Sequence, residues 1–93
     1  MEKTKREAKK IIFEQPIMLN GKAITEVTMR VPKVKDMFAV DHIKDVVERE
    51  VALISNLTGI PMTVDDTEDW DVAEYMALQS TLRGLQVSKA KIL

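Results

Sequence analysis

The end of a helix in residues 53–61 constrains the fold of this chain more than any other feature, because it fixes where a long helix must stop. The stretch reads LISNLTGIP and follows apolar residues at helical spacing. Gly59 stands where a helix turns into the left-handed conformation, which a Cβ atom opposes, and Pro61 cannot continue a helix. We therefore predict a helix that ends at Thr58, with Ile60 folded back onto Ile54.

Two apolar alternations on either side of Asn20-Gly21 predict a β-hairpin. Their apolar residues share one parity: Ile11, Phe13, Ile17 and Leu19, then Ala23, Val27, Met29 and Val31. A two-residue loop would pair odd positions with even positions and mix the faces, whereas a three-residue loop with Gly21 in a left-handed position keeps them apart. We favour the three-residue loop. Pro16 has no N–H group, so we expect the first strand to be an edge with a break near its middle.

Helices are predicted after the hairpin. Pro32 ends the second strand, and Asp36 is the expected N-cap of a helical turn. Helix then continues to Thr58, either without interruption or, as we favour, with a break near Asp41. A last helix begins at Asp71 as N-cap, with Glu74 closing a capping box.

The start of this last helix is also expected to carry a hydrophobic staple, in which Trp70 packs on Tyr75. The acidic run at residues 65–74 lies at that helix start, where negative charge is favourable. Taken together, the patterns predict an α+β fold in which an N-terminal β-hairpin packs on two principal α-helices plus a short helical turn. We expect a flexible basic tail at residues 1–10, a single domain at 11–86 and a flexible C-terminal tail at 87–93.

The composition offers no visible catalytic or cofactor chemistry. The chain has no cysteine, one histidine, His42, and three isolated glycines, so no catalytic constellation, thiolate metal site or phosphate-binding loop can be drawn. The acidic run lacks the spacing and the central glycine of an EF-hand calcium loop. We therefore expect a protein that is not an enzyme, without catalytic residues, metal or cofactor. No long apolar run indicates a membrane span or a secretion signal, so a cytoplasmic location is the default.

The order of these motifs resembles that of the small tail assembly chaperones of Mu-like and related tailed phages. The resemblance rests on the hairpin with Asn20-Gly21, the sequence MRVP at residues 29–32 leading to Asp36, the stretch LISNLTGIP, and Asp71 opening a final helix. It covers most of residues 11–85. The chain departs from the family pattern in the dense acidic run and in Trp70, which replace a more apolar lead into the last helix.

The resemblance implies a factor for virion morphogenesis that binds the long, helical tape measure protein and keeps it soluble during assembly of a phage, prophage or tailocin tail. A frameshifted longer form of the chain itself and the tail tube protein are further expected partners. The location would be the host bacterial cytoplasm, and the chain would be absent from the mature virion. We also expect a homo-oligomer, because a two-stranded sheet leaves open edges.

Methionines beside aromatic residues can provide an adaptable apolar surface for such a helix. Met62, Trp70, Tyr75 and Met76 are the candidate partner-binding residues. The competing interpretation is that they are core and staple residues. The alternative function, from another class, is a small regulatory or nucleic-acid-associated adaptor that uses the basic N-terminal arm.

Overall fold

A computed structural model describes residues 7–87 and shows an antiparallel hairpin followed by helices. The elements are β1 (Lys9–Leu19), β2 (Lys22–Met29), α1 (Val34–Val40), α2 (Val46–Thr58), α3 (Val64–Thr67) and α4 (Val72–Gln86). The α+β class with an N-terminal hairpin is confirmed. β1 begins at Lys9, so the last two residues of the predicted basic tail belong to the strand. Residues 1–6 of that tail and residues 88–93 of the predicted C-terminal tail lie outside the described residues.

The turn of the hairpin has two residues, so the predicted three-residue loop is wrong. Leu19 is paired with Lys22, and Asn20 and Gly21 have φ values of 52° and 78°. Positive φ at both central residues is the requirement of a type I′ turn, whose twist matches that of the flanking strands.

A bulge in β1 resolves the parity conflict that had favoured a longer loop. The pairing changes register between Ile12, which faces Glu26, and Ile17, which faces Ile24, so residues 13–16 lie opposite Thr25 alone. Beyond the bulge odd positions face odd positions, as in the pair of Ile11 with Val27. The predicted break near Pro16 is therefore confirmed.

Asp36 is not the N-cap of α1, because the helix begins at Val34 after the N-cap Lys33, three residues earlier than predicted. Its carboxylate instead accepts the backbone N–H of Lys33 at 2.7 Å and both Arg30 guanidinium nitrogens at 2.8 Å. The predicted break is confirmed, since α1 ends at Val40 and α2 begins after Asp45. Asp45 is the new N-cap, and its carboxylate accepts the N–H of Glu48 at 2.9 Å.

The end of α2 has the predicted geometry. Gly59 is left-handed with φ of 73°, and its N–H donates to the carbonyl of Ser55 at 2.9 Å. The hydroxyl of Ser55 donates to the carbonyl of Ile60 at 2.9 Å and accepts the N–H of Met62 at 3.2 Å. The chain is therefore held in a fixed path as it leaves the helix.

α4 begins where predicted but is capped differently. The Asp71 side chain makes no capping hydrogen bond, and Glu74 is buried with its carboxylate accepting the backbone N–H of Gln15 at 3.2 Å. The predicted capping box is therefore wrong. The acidic run also forms α3, which was not predicted, and there Asp66 accepts the N–H of Thr63 at 2.8 Å.

One face of the hairpin covers the core, with α4 against β1 and α2 against β2. The buried apolar residues are Ile11, Phe13, Ile17, Leu19, Val27, Met29, Val40, Val51, Leu53, Ile54, Leu57, Met62, Leu78, Leu82 and Leu85. Within residues 7–87, the helices are too short and too polar to be candidate membrane spans.

Candidate partner-binding surface

α1 exposes most of its apolar side chains. Of its seven residues only Asp36 and Val40 are buried, and Phe38 is 72% exposed. Val34 and Met37 on the same helix are exposed too, as is Val46 at the start of α2. Scattered exposed apolar residues are normal in soluble proteins, but a cluster of them indicates an interaction site.

Met37, Phe38 and Val46 border a depression of about 300 Å³ between α1, α2 and α4. Its lining is Met37, Phe38, Val40, Asp41, Val46, Arg49, Glu50, Leu53, Leu82, Arg83 and Gln86, and we call this surface the α1 groove. A second depression adjoins it, because Met37 and Gln86 line both. The adjoining space is bordered by Pro32 and Val34, so the apolar surface continues to the start of α1.

The polar rim of the α1 groove is partly fixed by hydrogen bonds. Arg49 donates through Nε to the carbonyl of Ile43 at 2.8 Å, which holds its guanidinium at the α1–α2 loop. Glu50 accepts the phenolic O–H of Tyr75 at 2.6 Å and the side-chain amide of Gln79 at 2.9 Å. The rim therefore carries both signs of charge around an apolar floor.

The pKa of the Tyr75 phenol is shifted by its surroundings. Burial raises the pKa of Tyr75 well above its ordinary value of 10, and the hydrogen bond to Glu50 raises it further. The neutral phenol is the donor in that bond, so α2 and α4 are joined by a hydrogen bond that requires the proton.

α1 itself is held against the hairpin by the pair of Arg30 and Asp36. The side chain of Asp36 is 9% exposed, and the two parallel hydrogen bonds are of the bidentate kind that fixes geometry as well as charge. The Arg30 guanidinium and the Lys33 N–H hold the pKa of Asp36 well below its usual range. The exposed face of α1 is thus presented by a rigid support.

The four residues predicted from sequence do not line the α1 groove. Met62 is 7% exposed and belongs to the core, so it is not an exposed contact residue. Trp70 and Tyr75 are partly buried against that core, as the competing interpretation expected. The indole N–H of Trp70 donates to the carbonyl of Met18 at 3.0 Å, while Tyr75 bonds to α2. Met76 alone is largely exposed, at 55%.

Sequence reasoning missed Met37 and Phe38 as surface residues, although one signal was present, the adjacency of two large apolar residues on a single short helix. The signal is weak, because adjacent residues of a helix can share one apolar face and Met37-Phe38 could equally have been a buried pair. In the structure both are exposed. The part of the chain that is described has no group of three or more His, Cys, Asp or Glu residues placed to hold a metal ion.

Comparison with known proteins identifies one matching family. The profile of the family described as phage tail assembly chaperone proteins, E, or 41 or 14, matches residues 10–86. Neither a curated protein nor a solved structure matches the chain significantly. The match begins one residue into β1 and ends with the last residue of α4.

Proposed function

Because the chain belongs to the phage tail assembly chaperone family, we propose that it binds the tape measure protein of its own phage or prophage and keeps that protein soluble while the tail is assembled. The role is that of a binding protein and not of an enzyme. The family match carries this proposal. The exposed apolar surface around α1 supports it, because a chaperone for an amphipathic helix needs apolar surface that is accessible before the partner arrives.

We place the contact in the α1 groove. A helix laid into a groove buries apolar side chains at i, i+3, i+4 and i+7, and the floor formed by Phe38, Val40 and Leu82 suits such anchors. Methionine adapts to varied partners because its side chain is unbranched and flexible, and Met37 stands where both depressions meet. Phe38 is the expected anchor, since large aromatic residues dominate the energy of interfaces.

Coexpression with the tape measure protein tests the function. The tape measure protein should be soluble with this chain and aggregate without it. If it is equally soluble alone, the proposal fails. A salt-sensitive shift of DNA by this chain would favour the adaptor instead. The adaptor would use the basic arm, of which Lys10 is already paired with Glu26 at 3.2 Å.

Three variants locate the surface in the same experiment. Phe38→Lys should abolish the protection, because a charge in an apolar contact is costly to bury. Ile12→Lys is the matched control, since Ile12 is also 72% exposed but lies in β1, and it should protect as well as the unchanged chain. Met76→Lys tests the surface that was predicted from the sequence, because Met76 does not line the α1 groove. Loss of protection with Met76→Lys and not with Phe38→Lys would move the contact to α4.

The proposal also concerns location. We expect the chain in the host bacterial cytoplasm during assembly and not in the mature virion, because the tail tube replaces it around the tape measure protein. Mass spectrometry of purified particles against infected-cell lysate measures this directly. A stoichiometric amount of the chain in finished particles would argue for a structural role.

A further inference from the structure

A second depression, of about 270 Å³, lies between β1 and the acidic segment that leads into α4. Its lining is Gln15, Pro16, Met18, Asp66, Asp69, Trp70, Asp71 and Glu74, and we call it the Trp70 pocket. Half of these residues are acidic, and three of the others are proline, methionine and tryptophan. The Trp70 pocket shares no residue with the α1 groove, so the proposed contact with the tape measure protein does not explain it.

Glu74 is the unusual group of this pocket. Only 6% of the residue is exposed, yet its carboxylate accepts a single hydrogen bond, from the Gln15 N–H at 3.2 Å. A buried carboxylate is ordinarily paired with a cation or accepts several hydrogen bonds, because its removal from water is costly. Neither ion pair found within residues 7–87 includes Glu74. A cation from elsewhere would complete the surroundings of this carboxylate.

No base balances these carboxylates along the chain. Residues 50–82 include every acid of the Trp70 pocket and contain no lysine, arginine or histidine. The side chains of Asp69 and Asp71 make no hydrogen bond in the described part of the chain. A cleft lined by one sign of charge attracts the opposite sign. With its apolar residues the pocket fits the charged head and the hydrocarbon stem of a lysine or arginine.

We propose that the Trp70 pocket binds the basic N-terminal segment of a second copy of this chain. Lys3, Lys5 and Arg6 are the only three bases that fall within four consecutive residues of the sequence. A base of this segment places its charged head beside Glu74 and its stem along Met18 and Trp70. Two copies that exchange their segments form a closed dimer.

Distance favours a second copy over the chain's own segment. Lys9 and Met18 of β1 are paired with Met29 and Ala23, which are six residues apart on β2. At about 3.3 Å per residue, roughly 20 Å therefore separate the start of β1 from the pocket. Arg6 lies three residues before Lys9, so the backbone carries it back only about 10 Å. The segment of a second copy has no such limit.

Trp70 fluorescence tests the binding directly, because Trp70 is the only tryptophan. The receptor is the full chain with Lys3→Gln, Lys5→Gln and Arg6→Gln, called the triple variant, and the probe is a synthetic peptide of residues 1–8. The peptide should change the fluorescence along a saturable curve that weakens as salt is raised, since opposite charges attract less when screened. The peptide with the same three glutamines should have no effect. An absent curve, or equal curves for both peptides, overturns the proposal.

Charge reversal in the triple variant locates the site. Asp69→Lys should raise the dissociation constant of the peptide about tenfold or more, because a charge-assisted contact becomes a repulsion. Glu68→Lys is the matched control, since Glu68 is the exposed neighbour of Asp69, undergoes the same charge change and does not line the pocket. It should change the constant much less. Circular dichroism checks that both variants are folded. Equal weakening by the two would mean a diffuse attraction to the acidic run, and the pocket would not be the site.

Sedimentation equilibrium identifies the occupant and needs no tape measure protein, so its outcome is independent of the proposed function. The unchanged chain should associate, whereas the triple variant alone and the chain with Asp69→Lys alone should associate more weakly. A mixture of these two should restore association, because one supplies the pocket and the other the segment. Equal association of the unchanged chain and the triple variant overturns the proposal. A monomeric unchanged chain whose fluorescence matches that of the peptide-bound receptor would assign the pocket to the chain's own segment, and would overturn it too.

Discussion

At the scale of single residues, two buried carboxylates connect elements that are distant from one another in the fold. Asp36 joins α1 to the end of β2 through Arg30, and Glu74 joins α4 to the bulge of β1 through the Gln15 N–H. The sequence pattern interpreted both as helix caps. Each does lie in the first turn of a helix, but burying a carboxylate requires partners, and here Gln15 of β1 and Arg30 just after β2 supply donors that no helix-cap pattern contains.

Replacing Asp36 by Asn should lower the free energy of unfolding near neutral pH by about 1.5–3 kcal/mol, because hydrogen bonds to a charged group are lost. The folded-state pKa of Asp36 is depressed, so its contribution is present above the ordinary aspartate pKa of about 4 and is lost as the pH falls below it. Urea unfolding at several pH values measures both effects. The variant should show a shallower loss of stability in acid.

Asp69→Asn is the control for this substitution, because Asp69 is exposed and its side chain has no hydrogen bond in the described part of the chain. It removes the same charge and should leave the stability and its pH dependence almost unchanged. Equal acid sensitivity of the Asp36 variant and the unchanged chain would show that the Arg30 pair does not form in solution.

Gly59→Val should destabilise the fold by about 1–3 kcal/mol, because a β-branched residue is strained at positive φ. No atom lies within 4 Å of a Cβ built at Gly59, so the cost is one of backbone conformation and not of collision. Gly84 has the same free space but lies inside α4, and Gly84→Ala should be neutral or stabilising by up to about 1 kcal/mol. Thermal unfolding measures the melting temperatures of the two variants. Equal melting temperatures for both variants would contradict the left-handed cap.

At the scale of elements, features set by neighbouring residues could be predicted and those set by distant residues could not. The end of α2 follows from Gly59 and Pro61, and the hairpin follows from alternation around Asn20-Gly21. The loop length was wrong because strict alternation was carried through β2, where Ile24 and Val27 both pack on the core and Ala23 is exposed. α3 was missed because four residues are too few to show periodicity.

Tyr75 should report on the contact between α2 and α4. Its pKa is raised by burial and by Glu50, so the folded state keeps the proton longer than the unfolded state, and this contribution to stability is lost as the pH rises above about 10. Tyr75 is the only tyrosine, so alkaline ultraviolet titration follows this one group. Glu50→Gln should shift the midpoint downward, since the carboxylate no longer holds the proton. An unchanged midpoint would show that burial alone sets it.

At the scale of the whole molecule, the residue types of an exposed apolar surface could be predicted better than their positions in the chain. An apolar surface with methionine and aromatic side chains exists, but it lies at Met37 and Phe38 and not at Met62 and Trp70. Which methionine is buried depends on how the helices pack, and Met62 enters the core because the Ser55 hydroxyl turns the chain after Gly59 back toward α2. That placement depends on contacts across the fold that a linear pattern does not contain.

The core predicts that residues 11–86 unfold as one unit. Its buried residues come from both strands and from α1, α2 and α4, so none of these five elements can leave without opening the rest. Trp70 is the only tryptophan and contacts β1 through its indole N–H, so its fluorescence follows the hairpin side, while circular dichroism follows the helices. In urea the two signals should coincide with a slope of about 1 kcal/mol per molar, as in small two-state domains. The midpoints are compared at two protein concentrations, because self-association would add stability that depends on concentration. Separate midpoints would mean that the hairpin and the helices are independent units, and the single-domain prediction would then be wrong.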